Sequence, residues 1–485
     1  MISISPKTQS QDAKHKRLAD VLRCAITEGK LTPGDKLPSA RKLAELHGMN
    51  RHTVMNALQN LVAEGWLVVK ERSGYRVNAE LPIFSSQQIT SEVPSTPQIV
   101  PQFAKTLTPV SSTKCTAYRY SFAGGLPDLH AFPYNEFKRF LVKACRKTNV
   151  SHFHYSDIAG CELLKFQIRA YLRRSRGLVC DDLLICNGSQ EALSLVANAF
   201  INPGDGVAIE MLGYPPARHT FTNAGAEVFA LAQDAEGIKV EALARCLEQN
   251  KVKLLYLTPL HQYPTTVTLS VPRRMAIYQL CQQYGVFIIE DDYDHEFHYL
   301  CPPLQPMAAC DPSGIVIYIS TFSKIMFAGA RVGYMNARTD VLAQLVARKQ
   351  LLNHKNDALT QLAVADWMEE GGFERHLRRM TKAYQVRHHA MAQHLNELKV
   401  TLDIDFEVPQ GGMAYWVNSK RDVSKLSEKA REKGIYVQCE PEFTLDKASS
   451  LSHIRLGFAA QEIEQQQAGL SELFALVAEL EKNHE

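Results

Sequence analysis

The chain has 485 residues, 45% of them hydrophobic and 22% charged, with a net charge of only +3; this is the balance of a globular protein, and the length suggests roughly three domains. No stretch reaches the roughly 18 uncharged apolar residues of a membrane-spanning helix, and Met1-Ile2-Ser3-Ile4-Ser5-Pro6 opens no apolar run of the signal-peptide kind, so a cytoplasmic protein with no membrane partner is expected. The eleven cysteines are odd in number, scattered from Cys24 to Cys439, and form no Cys-x-x-Cys pair, which argues against a disulfide framework or a zinc site.

Charge is unevenly placed. Residues 1–80 carry thirteen Lys/Arg against eight Asp/Glu, a positive bias that contact with a polyanion would use. Leu18, Val21, Leu22, Ala25 and Ile26 recur at helical spacing and Gly29 stops them. A turn-rich connection follows, and Ser39 caps a short helix through Leu43, Ala44 and Leu46 that ends at Gly48. Asn50 caps a third helix, whose Val54, Ala57, Leu58, Leu61 and Val62 form the buried stripe. Trp66-Leu67-Val68-Val69 and Gly74-Tyr75-Arg76-Val77 read as a hairpin with Glu71-Arg72-Ser73 at its tip. Residues 1–78 are therefore expected to form a winged helix-turn-helix that puts its third helix in the major groove of double-stranded operator DNA.

The run Pro33-Gly34-Asp35-Lys36-Leu37-Pro38-Ser39-Ala40-Arg41-Lys42-Leu43-Ala44, with Arg51-His52-Thr53-Val54 and Glu64-Gly65-Trp66-Leu67, resembles the winged helix of the GntR family of bacterial regulators. The resemblance implies that Arg41 and Arg51 contact phosphate or bases, that Thr53 assists them, and that Arg72 or Arg76 contacts DNA from the wing.

Residues 79–117 are rich in Ser, Thr, Pro and Gln without a sustained period and read as a flexible linker. From residue 118 to 485, apolar runs alternate with amphipathic stretches. Leu183–Cys186, Gly206–Glu210, Lys253–Leu257, Val286–Glu290 and Ile315–Ile319 suit buried strands of a largely parallel sheet in an α/β body. Its large part is expected at about 150–350, and its small part at about 118–149 plus 351–485.

The loops after those strands carry chemistry. Gly188-Ser189-Gln190 opens a helix whose free amides can cradle a phosphate, and Tyr214 can stack on a ring. Asp291 ends the fourth strand, where a carboxylate can keep a proton on a pyridine nitrogen; Tyr293 can bond a phenolic oxygen. Lys324, beside Ser323, follows the fifth strand and can form a Schiff base with an aldehyde, while Arg331 suits a phosphate. This carboxylate-then-lysine order points to pyridoxal 5′-phosphate. The acidic and histidine residues of Asp291–His298 have metal-ligand types, but the lysine gives Asp291 another task and no metal is assigned.

The ordered set, with Phe122–Asp128, Tyr155–Gly160, Gly329–Tyr334, Gln410–Met413 and Ile454–Phe458, resembles fold-type-I aminotransferases and, more narrowly, the MocR/GabR branch of the GntR regulators. The resemblance implies a homodimer formed through the aminotransferase-like domain, with Tyr155 reaching the cofactor phosphate of a neighbouring subunit and Arg455 clamping a ligand carboxylate. Two positions depart from the family pattern: Ala328 stands where proline is usual, and Thr266 where glycine is usual. The function expected is a regulator that senses an amino compound or the cofactor itself, with slow transamination admissible; the alternative is a working aminotransferase tethered to DNA.

Overall fold

The computed structural model describes residues 14–70, 74–81, 118–146, 154, 158–445 and 451–482. Its contacts divide the chain into two units, Met1–Val110 and Ser111–Glu485. Of the expected linker, residues 82–117 lie outside the described residues, as do Arg72 and Tyr155.

The first unit is built as its periodicity dictates. Helices α1 (Lys14–Thr27), α2 (Ala40–His47) and α3 (Arg51–Ala63) are followed by a hairpin, β1 (Leu67–Lys70) and β2 (Gly74–Val77), paired antiparallel with Leu67 opposite Val77. Both proposed caps form: the Ser39 hydroxyl accepts from the Lys42 amide at 3.3 Å, and Asn50 Oδ1 from the His52 amide at 2.9 Å. Leu18, Leu22, Leu43, Val54, Leu58, Leu61 and Val77 close a core of their own, so this small fold rests on apolar burial from every element.

The second unit begins with β3 (Tyr120–Ser121), α4 (Tyr134–Cys145), α5 (Glu162–Arg176), β4 (Leu184–Cys186), α6 (Ser189–Phe200), β5 (Gly206–Glu210), α7 (Pro215–Asn223) and β6 (Glu227–Leu231). A two-residue-strand hairpin, β7 (Gln233–Asp234) with β8 (Gly237–Ile238), leads to α8 (Val240–Gln249), β9 (Val252–Leu257), α9 (Val271–Tyr284), β10 (Phe287–Asp291), β11 (Val316–Thr321), β12 (Gly333–Asn336) and α10 (Thr339–Asn353). Seven strands form one sheet in the order β4-β12-β11-β10-β9-β5-β6, parallel throughout except that β12 runs against both its neighbours. Period-two alternation sends Leu254, Tyr256 and Ile289 to the face covered by α6, α7 and α10, and Leu255, Leu257 and Ile288 to the face covered by α8 and α9. Burial on both faces explains why these strands read as unbroken apolar runs.

The remaining elements are α11 (Ala358–Glu369), α12 (Gly372–Thr401), β13 (Asp405–Phe406), β14 (Ala414–Asn418), α13 (Leu426–Glu432), β15 (Ile435–Tyr436), β16 (Gln438–Cys439), β17 (His453–Gly457) and α14 (Ile463–Lys482). Strands β13-β14-β17-β16 make an antiparallel sheet, and β15 pairs parallel with β3. A second core of Trp367, Phe373, Tyr384, Tyr415, Ile454 and Phe474 joins these to α4 and α5. The loop after β10 meets the loop before β14, where the Gly412 amide donates to Phe297 O at 2.8 Å and the Tyr299 hydroxyl to Gly412 O at 2.8 Å.

Candidate functional site

Strands β9, β10 and β11 lie in parallel register, Ile289 opposite Tyr256 and Asp291 opposite Ile319. Their carboxyl ends therefore release their loops at one edge, the usual place for a ligand in such a sheet. A cavity of about 200 Å³ opens there, lined by Asp291, Lys324, Tyr214, Tyr293, Ser189, Gln190, Ser323 and Arg331 together with Gly124, Gly125, Tyr256, Thr258, Tyr263, Thr321 and Ala328.

Three acids in a row, Glu290-Asp291-Asp292, face three different tasks. Glu290 accepts from the Met307 and Ala308 amides at 2.8 and 3.0 Å. Asp292 is held by Arg176 at 2.7 Å and the Tyr318 hydroxyl at 2.8 Å. Asp291 accepts from the Tyr256 hydroxyl through Oδ2 at 2.9 Å, and its Oδ1 is buried with no partner. Burial pushes the Asp291 carboxyl up to about 7, against the pull of Tyr256. A buried carboxylate oxygen without a donor, on the wall of a cavity, fits a ligand that brings a positive N–H.

The Lys324 amine enters the same cavity from the 3₁₀ turn Phe322–Lys324. Burial lowers its pKa; Asp294 opposes this, Arg455 adds to it and Asp291 opposes it. A Cβ on Gly125 would stand 3.1 Å from Lys324 Nζ, so the bare glycine gives the amine its room. Ser323 is tied to the turn, its amide donating to Thr321 Oγ1 at 3.2 Å.

At the other end of the cavity, Gly188 holds φ +77 as the N-cap of α6, and a Cβ there would meet Arg331 Nη2 at 2.9 Å. Arg331 itself adopts the left-handed conformation, φ 52, and donates through Nη2 to Asn187 O. The result is a helix N-terminus with a guanidinium against it, an anion-binding arrangement. Gln190, expected in the same cradle, turns its side-chain amide to Thr220 Oγ1 at 2.7 Å. The residues present thus fit pyridoxal 5′-phosphate at both poles.

Tyr214 caps α7 and packs edge-on against Tyr263, ring centroids 5.2 Å apart. The Tyr293 hydroxyl donates to His261 O at 3.1 Å. Arg455 is 1% exposed; it donates through Nη1 to Pro264 O at 2.6 Å, lies 4.3 Å over the Tyr263 ring and leaves Nε buried without a partner. It stands behind Gly124, Tyr263 and Tyr293, which line the cavity, and does not line it itself. Thr266 takes φ +64, the conformation for which glycine is favoured, pinned by the Gln262 amide donating to Val267 O at 2.9 Å. Ala328 opens a 3₁₀ turn, Ala328–Ala330, that delivers Arg331 without a proline.

Tyr256, Tyr263, Thr258 and Thr321 also line this cavity, and the sequence alone assigned none of them a role. The signal for Tyr256 was present: one residue before the end of β9, it breaks an otherwise aliphatic run. Nothing local marks Tyr263 as the platform for Arg455.

On the first unit, the Arg41 side chain is 85% exposed and pairs with Glu45 at 3.5 Å, one turn along α2. Arg51 is exposed in the first turn of α3, and Thr53 is half-buried. Arg76 Nη1 donates to Gly34 O at 2.9 Å and its Nε is buried, a bond that braces the wing against the loop before α2.

Residues 132–473 match the family described as aminotransferase class I and II, and residues 14–77 the family of bacterial regulatory proteins, gntR family. The chain is 30% identical to the probable rhizopine catabolism regulatory protein MocR of Rhizobium meliloti, over 77% of this chain and 75% of that protein. It is 29% identical to the HTH-type transcriptional regulator TauR of Rhodobacter capsulatus, over 88% and 89%. Among solved structures, the Pyrococcus horikoshii kynurenine aminotransferase in complex with PMP superposes with a TM-score of 0.69 at 28% identity, over 76% of this chain and 92% of that one. With a GntR winged helix at its front and a class I and II aminotransferase body behind it, the chain belongs to the MocR/GabR subfamily of GntR transcriptional regulators.

Proposed function

We propose that this regulator holds pyridoxal 5′-phosphate in the Asp291–Lys324 cavity, senses an amino compound there, and passes the result to the winged helix on double-stranded operator DNA. The observation that carries the reading is the pairing of an unpartnered buried Asp291 oxygen with the Lys324 amine in one cavity, in a chain whose other unit is a DNA reader. When bound, the cofactor supplies an aldehyde that an amine can attack and a ring that draws electrons. Lys324, its pKa lowered mainly by burial, gives up its proton more readily than a free lysine and would present its amine to that aldehyde. Asp291 Oδ1 keeps a proton on the ring nitrogen, and Tyr256 orients the carboxylate. Tyr214 would lie against the ring, Tyr293 would serve the phenolic oxygen, and the Gly188-Ser189-Gln190 turn with Ser323 and Arg331 would hold the phosphate.

Arg455 selects an anionic group on the amino compound, which must compete with Pro264 O for the guanidinium. An effector of this kind shifts a conformational equilibrium only by binding its two states differently. Arg41, Arg51 and Thr53 contact DNA, with Arg72 as the contact from the wing. A homodimer through the aminotransferase-like body, with Tyr155 at a shared site, presents two winged helices to two half-sites in the cytoplasm. The test is footprinting of the operator with and without cofactor and then across a panel of amines. Footprints and affinities unchanged throughout overturn the sensor reading.

A further inference from the structure

A carboxylate stands where an anion site is least served by one. Glu191 lies in the first turn of α6, the helix whose N-terminal amides and neighbouring Arg331 form the anion-binding end of the cavity, and a negative charge there opposes an incoming phosphate. Its side chain is turned back into the protein: Oε2 accepts from the Asn187 amide and Oε1 from Asn353 Nδ2. Lys349 of α10 meets it with Nζ at 3.2 Å from Oε1 and 3.3 Å from Oε2. The other acceptors of that ammonium are Asn353 Oδ1, at 3.3 Å, and Asn356 Oδ1.

The Lys349 side chain is 0% exposed and that of Glu191 7%. Stability alone does not require such a pair, since an apolar replacement of both partners is often as stable. Its placement is informative. Asn187 gives its amide to Glu191 and its carbonyl to Arg331, so the buried pair and the anion-facing guanidinium hold the two ends of one peptide residue.

We propose that Lys349 and Glu191 form a positioning pair for the phosphate cradle, an inference that rests on the cofactor reading above. Glu191 sets the Asn187–Gln190 turn through the Asn187 amide. Lys349 cancels the charge that Glu191 would otherwise present to a phosphate, leaving Arg331 and the helix amides to attract it. The two residues therefore have opposite signs of effect on anion affinity, which a purely structural ion pair does not.

The full-length protein, stripped of cofactor, is titrated with pyridoxal 5′-phosphate, with pyridoxal and with inorganic phosphate, using absorbance for the first two and the shift of the unfolding midpoint for the third. Lys349→Met is expected to weaken both phosphate-bearing probes by roughly ten- to thirtyfold, the effect of an unbalanced charge at a separation on the order of 10 Å and an effective dielectric of about 20, and to leave pyridoxal within about twofold. Glu191→Gln keeps an acceptor for the Asn187 amide and is expected to bind both phosphates at least as tightly as the parent. The double variant returns to within a few-fold of it, the non-additivity expected of contacting residues. Equal losses for pyridoxal and pyridoxal 5′-phosphate, or a loss in Glu191→Gln matching that in Lys349→Met, overturn the proposal. If Lys349→Met does not fold, a loss of phosphate affinity in Glu191→Gln or in the double variant overturns it instead. Arg331→Ala is run alongside. Unchanged cofactor affinity in Arg331→Ala defeats the cofactor reading and this inference with it, whereas a loss there with none in Lys349→Met defeats the pair alone.

Discussion

The Tyr256 hydroxyl donates to Asp291 Oδ2 at 2.9 Å across two adjacent parallel strands and leaves Oδ1 of the same carboxylate buried without a partner. Burial raises the Asp291 carboxyl to about 7, against about 3.9 in an unfolded chain. Between those values the cofactor-free folded state binds the extra proton, so this group's contribution to stability falls as pH rises through the window. Glu290, at about 7, shares that window, so the informative quantity is the difference between parent and Asp291→Asn unfolding free energies. That difference is expected to decline from pH about 4 to about 7 without cofactor and to flatten with it. A flat difference in both conditions shows that Asp291 titrates as an ordinary carboxyl.

Lys324→Ala is expected to abolish the cofactor adduct that borohydride traps in the parent protein. Peptide mass spectrometry reads the site directly. An adduct of parental yield on any other lysine refutes the assignment.

The winged helix separates two kinds of arginine. Arg51→Ala is expected to weaken operator binding by about 1–3 kcal/mol and to reduce the salt slope by about one. Arg76→Ala loses its bond to Gly34 O and is expected to lower stability by about 1 kcal/mol while leaving the salt slope unchanged. Anisotropy titrations over a salt series, beside thermal unfolding, distinguish the two; the reverse pattern makes Arg76 the wing's DNA contact.

Arg176 and Asp292 form a buried ion pair at 2.7 Å. Burial alone raises the Asp292 carboxyl, but Arg176, His295 and the Tyr318 hydroxyl outweigh it and hold the group at about 2. Its folded value is thus depressed, so the stabilisation is complete above the unfolded value of about 3.9 and lost as pH falls toward 2. Arg176→Met strands the carboxylate and is expected to cost about 3–5 kcal/mol at neutral pH. Denaturant unfolding at pH 7 checks the cost, and a loss under about 1 kcal/mol, the scale of an exposed pair, overturns it.

Sedimentation of the full chain is expected to give a dimer at micromolar concentration with cofactor bound. A monomer under those conditions removes Tyr155 from a shared site.

Much of this was legible in the sequence because the body's chemistry follows strand ends in chain order: Asp291 closes one apolar run and Lys324 follows the next. What escaped depends on distance in the fold. Tyr256 and Lys349 act on Asp291 and Glu191 through neighbouring elements, and no local pattern pairs them. Strand β12 was missed because Gly333 and Asn336 dilute its apolar pattern, and β6 because, at the sheet edge, it is only partly buried. Arg76 had the composition of a wing contact, and only the fold showed its guanidinium turned to Gly34.

The two poles of the cavity differ in mechanical support. Asp291 and Tyr256 belong to the central strands of a seven-stranded sheet, locked by backbone pairing on both sides. Arg331 sits on a connecting segment and the Asn187–Gln190 turn runs into the first turn of α6, with Arg331 and Gly188 both at positive φ. The ring-facing wall is therefore held by backbone pairing, and the phosphate-facing wall by the side chains of Arg331, Glu191 and Lys349. The phosphate-facing wall is also the one that a buried ion pair fastens to α10, so the anion end of the cavity and that helix share a single side-chain anchor.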